Sequence, residues 1–330
     1  MLTTFLTVFE QMVRIIFLLS LGFMFNKLHL IPKTAEAVLS KFTTMLFLPC
    51  LVLNAYIVEC DFKNLIAYGP LVLYGMFYTG LSVVFAYLFA PRFAGGHDYI
   101  KGVYRYTFAM PNTGAGATPL LIALCGGTQG VFLGQTFAFA QSITTYTWGI
   151  MQLQPAEGRH DLKFYLKRIL NLNSITLVLG VALGLLGAKN WIPKIILTTI
   201  GDLGDGYVPV ALLLAGFTIA DYPVLELIGN AKIYLFSLLR LIVIPGIFML
   251  LSWLLQPMLG LSAMVCMLFV LYTACPAGMN SVVFPAAYGE DCRPGASMVL
   301  VSTVLSVATL PIMFTLVTAL CGMPAELIMK

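Results

Sequence analysis

Charge is scarce in this chain. Of its 330 residues 10% are Asp, Glu, Lys or Arg, while 60% are hydrophobic and the mean hydropathy is +0.94. Soluble globular domains carry about 25% charged residues. So few charges cannot cover a water-facing surface, so lipid must be the solvent over most of the molecule. Histidine is equally sparse. His29, His97 and His160 are scattered through polar links, so no metal site is expected and no cofactor is implied. The seven cysteines, at 50, 60, 125, 266, 275, 292 and 321, have no metal or redox spacing. Their number is odd, so a full disulfide set is excluded; free, apolar-like thiols are expected. HExxH, GxSxG and a His–carboxylate cluster are all absent, which argues against an enzyme. No basic patch interleaved with aromatics is present, so nucleic acid is not expected as a partner. The N-terminus lacks a basic leader, and Glu10 and Arg14 sit inside its apolar run. It reads as a first helix rather than a cleaved signal.

Long uninterrupted apolar runs are what the chain does have, for example 65–90 and 229–256. Barrel strands would alternate over about ten residues. A helix spanning the bilayer needs about 20 apolar residues. The sequence therefore predicts an all-α polytopic membrane protein of about ten spans. They are placed near 5–25, 35–57, 65–90, 99–125, 129–152, 168–188, 194–219, 229–256, 262–288 and 293–320. The polar stretch at 153–167 divides the chain into two five-helix repeats, 1–152 and 168–330.

The halves share an order of landmarks. Ile31-Pro32-Lys33 opens the second span and Ile192-Pro193-Lys194 the seventh. LPCLVLNAYI (48–57) corresponds to VPVALLLAGFTI (208–219), and MPNTGAGATP (110–119) to CPAGMNSVVFP (275–285). Glycine turns follow at Gly126-Gly127 and at Gly289. An odd number of spans per repeat makes the second half enter from the opposite side, the inverted-repeat plan of many carriers. Lysine and arginine orient it. Lys27, Lys33, Lys41, Arg92, Lys101, Arg159, Lys163, Lys167, Arg168, Lys232 and Arg293 fall on one side, against Lys63, Lys189, Lys194 and Lys330 on the other. The first side, with the 153–167 link, is expected to be cytoplasmic in a cell membrane, with both termini outside.

Two spans are expected to break. Proline inside a helix costs about 3 kcal/mol or more. The fourth span stacks Pro111, Asn112, Thr113, Gly114, Gly116 and Pro119; the ninth stacks Pro276, Gly278, Asn280, Ser281 and Pro285. Irregular backbone at membrane depth is tolerated only where it is buried or lines a cavity. A break exposes N–H groups that hold anions and carbonyls that hold cations. Asparagine adds both a donor and an acceptor. The candidate substrate residues are Asn112, Asn280, Thr113, Gly114 and Ser281, with Asn54 after a break expected at Pro49. Asp202 and Asp205 are candidates for proton or sodium coupling, with a solvated role as the alternative. Arg240, deep in the eighth span, is placed against a substrate carboxylate, against Asp205 or snorkelling to the cytoplasm. Gln135, Thr136, Gln141, Ser142, Thr144 and Thr145 in the fifth span, and Ser302, Thr303, Ser306 and Thr309 in the tenth, are read mainly as helix-packing groups.

With PNTG (111–114), PAGMN (276–280) followed by GED, LPCLVLNA and GDLGDGYVPVALLLAG (201–216) in this order, the chain resembles the auxin efflux carrier family. That family includes plant auxin exporters and bacterial malate and malonate permeases; a wider resemblance runs to bile-acid–sodium symporters and sodium–proton antiporters. The resemblance implies ten helices in inverted repeats, with spans four and nine crossing at Pro111 and Pro276. It implies a scaffold of helices 1, 2, 6 and 7, through which a homodimer forms, and a transport domain of helices 3–5 and 8–10. It implies a carboxylate substrate, with Asn112 matching a contact residue and Asn280 the second match. The short 153–167 link is closer to bacterial members than to plant exporters. The resulting expectation is a secondary transporter of small organic anions in the lipid bilayer, by alternating access. An ion channel and a membrane sensor are the alternatives.

Overall fold

The computed structural model describes residues 2–114, 116–154, 172–325 and 327. Most of the 153–167 link, with Arg159 and Lys163, lies outside the described residues, as do Arg168 and Lys330. Every regular element described is a helix. The longer ones, in chain order, are α1 (Leu2–Lys27), α2 (Thr34–Glu59), α3 (Phe62–Arg92), α4 (Asp98–Ala109), α5 (Ala117–Cys125) and α6 (Thr128–Thr144). There follow α7 (Leu172–Leu185), α8 (Lys194–Ile219), α9 (Ala231–Leu259), α10 (Ala263–Ala274), α11 (Asn280–Tyr288) and α12 (Arg293–Cys321). A π-helical turn at Thr145–Gly149 carries α6 on to Leu153. Among the described residues six helices, α1, α2, α3, α8, α9 and α12, are long and apolar enough to cross a membrane; α7 and α10 are shorter apolar helices.

The exposed surface is itself apolar. Leu6, Phe17, Leu73, Ile195, Leu235 and Trp253 all stand out from the helices, where lipid is the solvent that accepts them. Burial marks the centre. In α10 every residue from Met264 to Ala274 is buried, as expected for a helix apolar on all sides. Around it Tyr78, Phe137, Phe248, Phe269 and Tyr272 form a ring cluster with centroids 4.8–6.0 Å apart.

Helices from the two halves interlock. α1 packs on the Tyr207–Ile219 part of α8, and α7 packs on the Leu48–Glu59 part of α2. At the first contact the backbones nearly touch. A Cβ on Gly22 would sit 1.9 Å from the Leu213 carbonyl oxygen, and one on Gly216 would sit 1.9 Å from that of Leu19. Lipid supplies no hydrophobic drive between helices, so close backbone approach over small residues provides the attraction instead.

One expectation fails here. Pro49 does not break its helix. A π-helical turn at Thr43–Phe47 precedes it and α2 runs on to Glu59. The wider turn absorbs the mismatch left by proline's missing N–H. The same device precedes Pro245, after a π turn at Leu239–Val243.

Candidate functional site

Between α4 and α5 the chain leaves the helical path, and it does so again between α10 and α11. These links hold Pro111-Asn112-Thr113 and Pro276-Ala277-Gly278. Proline disfavours extension of the helix before it and biases its predecessor to extended backbone. Met110 (φ −104, ψ 107) and Cys275 (φ −63, ψ 148) obey. The two links then satisfy each other. Pro111 and Ala277 form an antiparallel bridge: the Asn112 N–H donates to the Pro276 oxygen at 2.8 Å and the Gly278 N–H to the Met110 oxygen at 3.0 Å. Backbone that would otherwise be orphaned in a dry core is thereby paired. Ser302 of α12, fully buried, accepts the Ala277 N–H at 3.0 Å.

That serine is a structural support. Ser302→Ala leaves a buried donor without its partner, which costs about 1–3 kcal/mol. Detergent-solubilised Ser302→Ala is therefore expected to melt several degrees below the parent, read by thermal unfolding. An unchanged midpoint would mean the bridge needs no such buttress.

Two cavities meet at this bridge. One, of about 550 Å³, is lined at one end by Lys33, Glu36 and Asp221 and reaches Asn112, Gly114 and Met279. The other, about 250 Å³, holds Pro111, Asn112, Thr113, Gly114 and Asn280 together. Tyr207 of α8 borders both, and its hydroxyl stands 2.7 Å from where a Gly114 Cβ would lie. Among the described residues no charged side chain lines the smaller cavity. Amides, hydroxyls and phenols line it beside Leu48, Pro111 and Met279, and the Gln141 Oε1 and Asn173 Oδ1 atoms there are buried without a hydrogen-bond partner. Buried polar atoms are ordinarily satisfied, so these point to a ligand of polar character.

At the mouth of the larger cavity Lys33 pairs with Asp221 at 2.8 Å, and Asp221 also accepts from Asn26 at 3.2 Å. Hydrogen bonding to Asp221 raises the Lys33 pKa above its ordinary value, so this ammonium stays charged at neutral pH. Thr218 donates to Glu36 at 2.6 Å. These contacts tie α1, α2 and α8 together at that end.

The residues singled out in the sequence divide cleanly. Asn112, Thr113, Gly114 and Asn280 share the small cavity with Pro111. Ser281 does not line it; it is buried and donates to the Gly278 oxygen at 2.8 Å, bracing the link. Pro276 serves through its carbonyl. Asn54 lies in the α2–α8 contact, its amide 3.3 Å from a Cβ built on Gly201, and lines neither cavity. Asp202 and Asp205 are exposed and line neither cavity. Arg240 is fully buried and donates to the Thr273 oxygen at 3.0 Å, with no ion pair to Asp205.

The fifth span was read mainly as packing, yet Gln135, Gln141, Ser142 and Thr145 face the small cavity. Thr136 bonds Tyr56 at 2.9 Å instead, and Thr144 bonds its own helix. Tyr106, Tyr146, Asn173 and Tyr207 were not singled out at all. The first lies one helical turn before Met110, the residue that precedes Pro111, which is a signal the spacing did offer. A family model described as a membrane transport protein matches residues 7–314. No curated protein matches the chain.

Proposed function

Because the chain belongs to this membrane transport family, that of the auxin efflux carriers, we propose that it carries small organic anions, with a carboxylate held where the 110–116 and 275–279 links pair. The protein is a multi-pass membrane transporter. The observation that carries the substrate reading is the placement of Asn112 and Asn280 in one cavity, lined among the described residues by no charged side chain, beside the Pro111–Ala277 bridge. The first turns of α5 and α11 begin beside it. Helix N-termini and amide N–H groups together hold an anion without a buried lysine.

On this reading the 98–125 and 263–288 segments are spans broken at mid-depth, the fourth and ninth of ten in two inverted repeats. Helices 3–5 and 8–10 move against a scaffold of helices 1, 2, 6 and 7, and two copies join through that scaffold. The larger cavity runs from the lysine-rich side to Asn112, which supports a cell-membrane carrier caught open to the cytoplasm. Tyr207 stands as the divider between entry path and site.

The test is uptake into proteoliposomes of radiolabelled acetate, benzoate, malonate and malate, with and without sodium and at two pH values. A carrier gives saturable uptake, accelerated when unlabelled substrate is loaded inside. Flux that rises linearly with concentration and ignores internal substrate supports a channel, and tight binding of a carboxylate with no flux supports a sensor; either result ends the carrier reading.

A further inference from the structure

Arg240 carries a charge that the carboxylate site does not use. It sits in the π turn of α9, none of its surface is exposed, and it lies well inside an apolar helix. No Asp or Glu pairs with it among the described residues. Its Nη1 donates to the Thr273 oxygen at 3.0 Å, while Nε and Nη2 make no hydrogen bond of normal geometry. The Tyr78 phenol of α3 lies beside it as a polar neighbour, and Ser82 stands next to that phenol; both are buried and neither carries a charge to pair with the guanidinium.

The acceptor explains the place. Thr273 is in the last turn of α10, which ends at Ala274, just before the Pro276 link. A helix end leaves up to four carbonyls without partners, with about half a negative charge there. Here the end lies in a dry core, beside the bridge. The Cys275 Sγ is also close to the other link, 2.6 Å from a Cβ built on Gly116. A guanidinium at this point reaches the carbonyl end of one broken helix from a third helix.

We propose that Arg240 is the protein's own cation for the bridged links, a positioning residue that fills the place where a bare helix C-terminus would need a bound sodium ion. A buried, unpaired charge opposes folding, so the residue acts through its field on α10 and not as a stabiliser of the fold. Sodium is then unnecessary at this point of the structure.

The first arm uses purified protein in detergent with no carboxylate present, and so is independent of the substrate reading. Wild type is expected to melt at the same temperature in sodium chloride and in N-methylglucamine chloride. Arg240→Ala is expected to gain about 3 °C, saturably, from about 10 mM guanidinium, while wild type gains nothing. A saturable sodium response in wild type, or an Arg240→Ala protein indifferent to guanidinium, overturns the proposal. Arg240→Met fills the vacated volume and keeps the test open if the alanine variant does not fold. It is expected to melt no lower than wild type, yet to lose at least about tenfold in uptake of whichever panel carboxylate wild type moves; Arg240→Lys is expected to keep most of that uptake. Normal uptake by the Met variant, or a Lys variant as inactive as Met, overturns it as well. The uptake arm alone rests on the carboxylate reading.

Discussion

Asn112→Ala and Asn280→Ala are each expected to remove carboxylate uptake while leaving a folded, inserted protein. The backbone and the side chain of Asn112 have separate tasks. Its N–H makes the 2.8 Å bond to the Pro276 oxygen, which alanine preserves. Its side chain borders both cavities, and that is what alanine removes. A hydrogen bond to a charged group is worth about 1.5–3 kcal/mol, or roughly ten- to a hundredfold in affinity. With no lysine or arginine among the described residues that line the small cavity, little else there compensates. Asn112→Asp gives the sign. It is nearly isosteric and places a negative charge against the substrate, so uptake is expected to fall below that of the alanine variant at neutral pH. Saturable uptake at an unchanged KM in both alanine variants would falsify the site, and improved flux in Asn112→Asp would point to a cationic solute.

Gly216→Val is expected to prevent assembly of the membrane domain altogether. The side chain would begin 1.9 Å from the Leu19 carbonyl oxygen and 2.8 Å from its carbon. Backbone cannot rotate away as a side-chain tip does, so α1 and α8 must separate. Separation forfeits the dispersion contacts that join them, and no hydrophobic force restores them in lipid. The readout is the monodisperse peak on size exclusion in mild detergent, expected to be lost. Gly80→Ala is the control. Nothing lies within 4 Å of its Cβ position, and alanine favours the helix by about 0.8–1 kcal/mol. A monodisperse Gly216→Val protein would mean that the α1–α8 contact is dispensable.

Part of the site was legible in the residues because backbone chemistry is local. Proline lacks a donor wherever it stands, and α4 and α10 both end just before Pro111 and Pro276. The same rule misled at Pro49, where the π turn upstream takes up the mismatch. Whether a helix can widen by one residue depends on what packs on it, and no local pattern encodes that. Thr136 and Gln141 are alike on paper. Yet one reaches Tyr56 of α2 and the other presents an unbonded oxygen to the cavity. Ser281 beside Asn280 illustrates the same limit, since adjacent positions on a helix point about 100° apart.

By itself the sequence determined the solvent, the helical class, the transport family and the places where two helices stop. Those follow from hydropathy, from proline's missing N–H and from an ordered set of short motifs, all local in the chain. Only the tertiary structure decided that the two stops pair with each other as one antiparallel bridge, and that four fifth-span polar residues join Asn112 and Asn280. It alone placed Arg240 on the Thr273 carbonyl and left Asp202 and Asp205 exposed. The physical reason is directional. Hydropathy states how much of a helix is apolar, but which partner a buried donor meets is fixed by the rotation and depth at which helices far apart in the chain come to rest.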